Sequence, residues 1–400
     1  GMQSKWAARL SSAQRAQINV LKWLQERLIW HCYTLCLFLH VCAVIVVTGF
    51  NSLIYHQLPL LRTLQMYLHR KLPSRVLSKT VGKLAARPLS PLMKRMVLGS
   101  YVRMFGCKME EAVEEDINQY TSLLSLFTRT LKEEARPINA DHPLVSPADG
   151  TVIYVGRIED GLVKEVKGIT YSLDEFLGPG VCDSEELEFI DRVKHKNGAE
   201  NFRVQPSRAK FFSNMDEDLE LPAMKSCPRK GNELFCVVMY LSPGDYHHFH
   251  SPAEWTATLQ RHFSGELLTV APWAMKALPG LLTLNERVLL SGYWEHGFFS
   301  YTAVGALNVG SIKMDFDKEL QSNQEGHCKH CYVDKQLGVI DGVTVQKGQH
   351  LGHFEFGSSV VLVFEAPSAF TFSAAAGSRL QFGQPLGRVA GQSHMESDLE

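Results

Sequence analysis

Three short stretches of this sequence hold the residue types that acid, base or nucleophilic chemistry needs. The densest is Ser242-Pro243-Gly244-Asp245-Tyr246-His247-His248-Phe249-His250-Ser251-Pro252, which packs three imidazoles into four residues. In an extended chain, side chains two apart share a face, so His248 and His250 are predicted to point one way and His247 the other. Metal binding is one use of such a cluster. No carboxylate or thiolate stands at ligand spacing, which favours proton transfer near neutral pH instead. The second stretch, Ser146-Pro147-Ala148-Asp149-Gly150, opens a strand with an Asp-Gly turn, ordinary turn chemistry when taken alone. The third, GHFEFGSSVVLVFEAP from Gly352 to Pro367, puts Gly357-Ser358 ahead of an apolar run. A Gly-Ser pair is a common turn dipeptide and does not mark a nucleophile by itself. Combined, the three stretches supply a serine hydroxyl, an imidazole to take its proton and a carboxylate to fix the imidazole's tautomer. A further stretch, His327-Cys328-Lys329-His330-Cys331, carries four potential ligands in five residues. That spacing is too tight for one tetrahedral ion, so it reads as a surface loop and no metal is expected.

Positioning these residues falls to a chain whose character changes along its length. From Leu144 onward, short Val, Ile, Tyr and Phe runs are broken by Gly, Pro and Asp, as in TVIYVG, ELFCVVMYLSPGD, RVLLSG and SSVVLVFEAP. This predicts an α+β fold whose catalytic domain, residues 141–400, is an antiparallel β-rich sandwich or barrel. Glu110 to Arg136 has apolar residues at helical spacing, Val113, Ile117, Leu124 and Phe127, and predicts a helix ending before Pro137. Residues 181–232 and 318–335 are polar and read as loops. Nine cysteines, sparse and odd in number, read as reduced thiols rather than a disulfide scaffold.

The near-even balance of 41 basic and 42 acidic residues hides an asymmetry. Up to Met109, sixteen basic residues face the single acid Glu26, a net charge of +15, and the remainder carries −16. A basic end ahead of an acidic body points to an anionic partner, nucleic acid or membrane. Leu28 to Leu61 holds no Asp, Glu, Lys or Arg, and its core, Ile29 to Phe50, is 22 residues long, enough to span a bilayer. Membrane is therefore preferred and nucleic acid set aside. The expected organisation is a basic segment over 1–27 resembling the end of a transit peptide, a transmembrane helix over 28–50, and basic membrane-proximal helices with a helical lead-in over 51–140. Both flanks of the span are basic, so charge does not orient it.

The blocks SPADG, KGITYSLDEFLGP, YLSPGDYHHFHSP, NERV, VGALNVGSI, KGQHLGHFEFGSSVVLVFEAP and FGQPLG occur in the order found in one family. From about Leu72 to Val389 the chain resembles the phosphatidylserine decarboxylases, in their mitochondrial, membrane-anchored branch. The resemblance implies a self-processing enzyme cut within the family's Leu-Gly-Ser-Thr motif, here at Gly357-Ser358. The products would be a β chain to residue 357 and an α chain of residues 358–400. It implies that Ser358 becomes a covalent pyruvoyl cofactor, whose ketone forms a Schiff base with the serine amine of phosphatidylserine before CO2 leaves. By position, Asp149 and His250 match the partners of Ser358 in processing, His247 matches the histidine credited with proton transfer in decarboxylation, and His248 matches a variable position. The resemblance also implies the mitochondrial inner membrane, with the catalytic domain facing the intermembrane space. The implied partners are phosphatidylserine in an anionic membrane, the α and β chains of one precursor, and a homodimer as a candidate assembly.

Phe356 stands where the family has Leu, and Ser359 where it has Thr, so a second serine offers a shifted cut. Thr269-Val270-Ala271 replaces a Ser-Val-Asn loop, which leaves Thr269 as a headgroup contact but removes an amide. Two other readings use the same residues. A catalytically inactive homologue is motivated by Phe356 and Ala271, and opposed by the intact Asp149, His247, His250 and Ser358. A lipid-binding or carrier-like β module is motivated by GVTVQKGQHLG, but its only candidate for modification, Lys347, is followed by Gly rather than set in a carrier motif.

Overall fold

The computed structural model describes residues 74–159, 161–164, 170–179, 181, 228–275, 278, 280–307, 311–323, 331–338 and 342–390. The expected segments 1–27 and 28–50, and residues His327, Cys328 and His330, lie outside these. Among the described residues no helix is long and apolar enough to cross a membrane.

In chain order the strands are β1 (Leu144–Val145), β2 (Gly150–Arg157), β3 (Leu162–Lys164), β4 (Thr170–Ser172), β5 (Asn232–Leu241), β6 (His248–His250), β7 (Trp255–Phe263), β8 (Arg287–Trp294) and β9 (Gly297–Gly305). They continue as β10 (Ile312–Met314), β11 (Tyr332–Gln336), β12 (Val343–Val345), β13 (His350–Phe354), β14 (Ser358–Pro367), β15 (Phe370–Phe372), β16 (Arg379–Leu380) and β17 (Pro385–Val389). The α-helices among the described residues are α1 (Ser74–Ala85), α2 (Pro91–Phe105), α3 (Leu123–Phe127), α4 (Leu173–Leu177), α5 (Pro272–Met275) and α6 (Leu281–Leu284). A nine-stranded sheet runs β11-β7-β8-β9-β14-β5-β2-β16, with β12 also on β7, and a three-stranded sheet runs β10-β13-β6. Every pair of these strands is antiparallel, as the short runs and turn residues predict.

The apolar run of β14 belongs to a central strand, paired with β5 along its length and with β9 from Ser358 to Phe364. Both of its faces are covered, so apolar residues fill both sets of alternating positions. On one face Val360, Leu362 and Phe364 join Met239, Leu241, Phe249 and Phe354 beneath the small sheet. On the other, Val361 and Val363 pack with Phe176 of α4 and with Leu281 and Leu282 of α6. The core thus has a sheet on one side of β14 and short helices on the other, the α+β arrangement expected.

Three local expectations fail. Glu110 to Arg136 is not one helix but two 3-10 turns, Met109–Glu111 and Ile117–Gln119, then α3 and a third turn at Glu133–Ala135. The breaks come from side chains that bond to local backbone: Asp116 Oδ1 accepts from Asn118 N–H at 2.9 Å, and Ser122 and Ser125 form a reciprocal cap that starts α3 afresh. Within the segment read as a loop, Tyr332 to Gln336 forms strand β11, because Tyr332 pairs with Phe263 and lies under the Arg261 guanidinium at 4.2 Å. Cys331 is disulfide-bonded, so the reduced-thiol reading fails there and its sulfur is no thiolate for a metal.

The lead-in nevertheless has a clear packing role. α2 buries Leu98 and Tyr101 and leaves Leu92, Met96 and Met104 exposed beside Arg95 and Arg103. It stops at Gly106, whose φ of 63° is the left-handed cap that glycine adopts without strain. Leu98, Tyr101, Tyr120, Leu126 and Phe127 then form a third cluster that includes Phe356, next to the expected cut.

Candidate active site

Antiparallel order makes the start of one strand meet the end of its neighbour, and this gathers the predicted residues at one edge. Thr151 of β2 lies opposite Tyr240 of β5, Tyr240 opposite Ser359 of β14, and Ser359 opposite Val304 of β9. With strands about 4.8 Å apart, the Asp149-Gly150 turn, Leu241, Ser358 and Gly305 therefore cluster at a single edge. The histidine segment leaves from Leu241. Gly150 is required there by contact as well as by the turn, since a Cβ would come within 2.5 Å of the Tyr240 carbonyl.

Ser358 is fully buried, and its Oγ has no hydrogen-bond partner among the described residues. Alternation from Val360 turns it toward the small sheet. Ser359 has an equally unpartnered Oγ but faces the helical side, so the two serines address different compartments. Two residues before the expected cut, Phe356 adopts φ 82°, a left-handed conformation that costs a Cβ-bearing residue about 1–2 kcal/mol. It is held there by burial, with its ring 4.6 Å from that of Phe127.

The alternation predicted for the histidines is present. His248 Nδ1 shares a hydrogen bond with His350 Nε2 at 2.7 Å, and the His250 ring meets His350 edge-on at 5.1 Å. His247 turns the other way, its ring 3.9 Å from Phe127. A carbonyl only accepts, so the 2.9 Å contact to the Asp245 carbonyl places the His247 proton on Nδ1. Nε2 is left as a bare lone pair, buried and without a partner among the described residues. Burial above all, with Arg129 and His248 nearby, pushes the His247 pKa down to about 3, so the ring is neutral. The same reasoning puts the His250 proton on Nδ1, donated to the Gly348 carbonyl at 3.1 Å, while Nε2 accepts from the Tyr246 hydroxyl at 3.2 Å. Burial and then His350 bring the His250 pKa to about 3.

Asp149 binds elsewhere than expected. Its carboxylate accepts from Arg136 Nε at 2.9 Å, from Arg136 Nη2 at 2.5 Å and from the Phe382 N–H at 2.9 Å. The link to His250 is indirect: the Phe382 ring stacks on the imidazole at 3.8 Å and 13°, and the His250 N–H donates to the Pro147 carbonyl at 2.8 Å. Asp149, His250 and Ser358 come to one end of the fold without hydrogen bonds to one another. Sequence reasoning missed Arg136, Phe382 and Tyr246; Phe382 and Tyr246 carried a signal, as parts of the FGQPLG and YLSPGDYHHFHSP blocks, and Arg136 carried none.

The sequence profile of phosphatidylserine decarboxylase matches residues 123–388, which include every one of these groups. The chain belongs to the phosphatidylserine decarboxylase family. A mitochondrial phosphatidylserine decarboxylase proenzyme of Pongo abelii is 40% identical over 336 residues, covering 81% of this chain and 74% of the relative. Proenzyme 1 of Schizosaccharomyces pombe is 38% identical over 366 residues, 82% of this chain and 84% of the relative. That of Saccharomyces cerevisiae is 35% identical over 368 residues, 81% and 74% respectively. Within this decarboxylase fold the NERV block has a visible task. Asn285, fully buried, donates through Nδ2 to the carbonyls of Gly305 at 2.9 Å and Leu268 at 2.8 Å, and its Oδ1 accepts from Leu268 N–H at 3.0 Å. It thereby ties the Thr269 loop to the end of β9 beside Ser358. Thr269 itself is half-buried and accepts from the Ala271 N–H at 3.4 Å, between Leu268 and Val270 of the cluster on the helical side. Glu286 accepts from Asn323 N–H at 2.9 Å, pairs with His262 at 2.9 Å and with Arg75 of α1 at 3.3 Å. Among the described residues no group of His, Cys, Asp and Glu is arranged to hold a metal ion.

Proposed function

We propose that the protein converts phosphatidylserine to phosphatidylethanolamine and CO2 with a pyruvoyl group made from its own Ser358. The observation that carries this reading is the Ser358 hydroxyl, buried and unpaired at the start of β14, just after the strained Phe356. In maturation Ser358 Oγ attacks the Gly357 carbonyl, moving the acyl group from nitrogen to oxygen. β-Elimination releases the Gly357 carboxylate and leaves dehydroalanine, which takes up water and loses ammonia to give the pyruvoyl end. Once formed, that group supplies a ketone for the substrate's amine and an adjacent amide carbonyl for the electron pair left by CO2. The surrounding side chains handle protons and solvent. His247 Nε2, unprotonated and unpartnered, accepts a proton from the substrate ammonium and returns it to the carbon that lost CO2. Phe127 and Phe356 supply apolar surface beside it, which favours a carboxylate leaving as neutral CO2.

Asp149 and His250 are assigned to maturation, with His250 taking the Ser358 proton once the Tyr246 hydroxyl leaves Nε2. A second reading is favoured by the bare Nε2 of His247, which would take that proton itself. The carrier-like reading is opposed by Lys347, whose Nζ is held by the carbonyls of Ala140 at 3.1 Å and His142 at 3.0 Å instead of standing at a hairpin tip. We assign the protein to the mitochondrial inner membrane, facing the intermembrane space, in line with the mitochondrial designation of its relatives. The anchor is residues 28–50. The outward Leu92, Met96 and Met104, flanked by Arg95 and Arg103, suit the interface of an anionic lipid layer holding the substrate.

Intact mass analysis with a lipid decarboxylation assay tests the reading. The expected result is a β chain ending at Gly357, an α chain blocked by pyruvoyl at its N-terminus, and formation of the ethanolamine lipid. An uncut chain bearing an unmodified Ser358 overturns it. An uncut His250→Ala protein alongside a cut but slow His247→Ala protein supports the first assignment of bases, and the reverse pattern supports the second.

A further inference from the structure

Beside His247 lies a buried cation with no partner for most of its donors. Arg129, 4% exposed, follows α3 closely and spends Nη2 on the carbonyls of Gly244 at 2.7 Å and Asp245 at 3.4 Å. Its Nε and Nη1 are buried and have no hydrogen-bond partner among the described residues. The nearby acids are engaged elsewhere: Asp245 accepts from Arg379 and from the Ser242 N–H at 2.7 Å, while Asp149 and Glu111 both bind Arg136. The position is fixed by His247, because the Asp245 carbonyl that receives Arg129 Nη2 also receives His247 Nδ1 at 2.9 Å. The Asp245 carboxylate lies near enough to feel the Arg129 charge but does not hydrogen-bond it; buried N–H groups left unmet are costly unless a ligand completes them, and a planar fork of them matches an oxyanion.

We propose that Arg129 binds the phosphodiester of the substrate headgroup, at a subsite next to His247. This rests on the decarboxylase reading and names its anion-holding residue. Of the headgroup's two anions, the phosphodiester is the better match. An ion pair to the carboxylate would stabilise the charge that must vanish as CO2 departs, whereas the phosphodiester keeps its charge throughout, so holding it favours binding without opposing the reaction. The arrangement divides the pocket, with the carboxylate toward the apolar Phe127 and Phe356 and the phosphodiester toward Arg129.

The test uses the full-length Ser358→Ala chain, which stays uncut, so that binding is read apart from maturation. Calorimetry with glycerophosphoethanolamine, a phosphodiester without a carboxylate, and with serine, a carboxylate without phosphate, separates the two anions. Adding Arg129→Gln should raise the Kd for glycerophosphoethanolamine about 10- to 100-fold, the loss of charge-assisted hydrogen bonds. Serine binding should not change, and Arg129→Lys should recover part of the loss. In the mature enzyme Arg129→Lys should raise KM for phosphatidylserine with little change in kcat. If Arg129→Gln fails to fold, the Lys variant decides through the same two readouts. The proposal is overturned by an unchanged Kd for glycerophosphoethanolamine, by loss of serine binding instead, or by no phosphodiester binding to any variant. A wild-type protein that does not decarboxylate phosphatidylserine defeats the functional reading separately, because the binding comparison needs no turnover.

Discussion

The left-handed Phe356 makes a quantitative prediction about the cut that follows it. Replacing it with Ala or with Gly removes the same ring and the same contact with Phe127, so the two variants differ in one respect. Ala keeps a Cβ at φ 82° and Gly does not. If the conformational strain of about 1–2 kcal/mol is relieved on the way to the transition state for acyl transfer, Gly forfeits it and should cut about 5- to 30-fold more slowly than Ala. Equilibrium stability should separate the variants much less, because Gly also gains about 0.4–1 kcal/mol of unfolded-chain entropy that opposes its relief of strain. Relative to wild type both variants should lose about 3–5 kcal/mol, the cost of deleting a buried Phe. The assay is cell-free synthesis followed by a time course of precursor and β chain on denaturing gels, with stability measured on the uncut Ser358→Ala background. Equal cutting by the Ala and Gly variants would refute the use of strain in maturation, whatever their stabilities.

Other expectations follow from groups already placed. Tyr246→Phe should cut at least as fast as wild type, since it uncaps His250 Nε2; an uncut Tyr246→Phe chain would mean that the hydroxyl relays the proton. His247→Ala, if cut, should lose about 10²- to 10⁴-fold in kcat, the usual span for a proton-transfer group, and an active variant would remove His247 from the reaction. Burial holds His247 and His250 at about 3 and His248 at about 4 in the folded chain, below the ordinary histidine value, so the unfolded chain binds these protons first. Their contribution to stability is complete above about pH 6.5 and is lost as pH falls toward 4. Denaturant midpoints of the Ser358→Ala chain that stay level from pH 6.5 to 4 would contradict the burial of these rings. A chain lacking residues 1–50 should still sediment with anionic vesicles and be released by salt, and equal sedimentation with neutral vesicles would dismiss the role of the basic helices.

What the sequence disclosed and what it concealed divide along chain separation. The opposite faces of His247 and His248/His250 follow from a two-residue period, and the covered central strand is visible in SSVVLVFEAP, because both are properties of a few consecutive residues. The partners of Asp149 are not of that kind. Arg136 precedes it by a turn-rich stretch and Phe382 follows by most of the domain, and only the strand order brings the three together. Arg129 was overlooked for a related reason. A charge at helical spacing in an acidic stretch looks solvated, and its burial depends on Gly244 and Asp245 arriving from another part of the chain. The expected helix over 110–136 failed on a local signal that was present, the Asp116 and Ser122 caps, outweighed by apolar spacing.

The place of Ser358 at the head of β14 has a consequence for inheritance of parts. The proposed cut would leave a segment whose first ten residues lie in the middle of the large sheet, bonded to β5 along their length and to β9 from Ser358 to Phe364. Release would require splitting that sheet along two seams at once, so the severed piece has no low-energy exit. Each molecule cut in this way would therefore keep for life the fragment it was synthesised with. Two alleles in one cell, one damaged before the cut and one after it, would not repair each other by trading fragments, although both halves of a sound enzyme would be present.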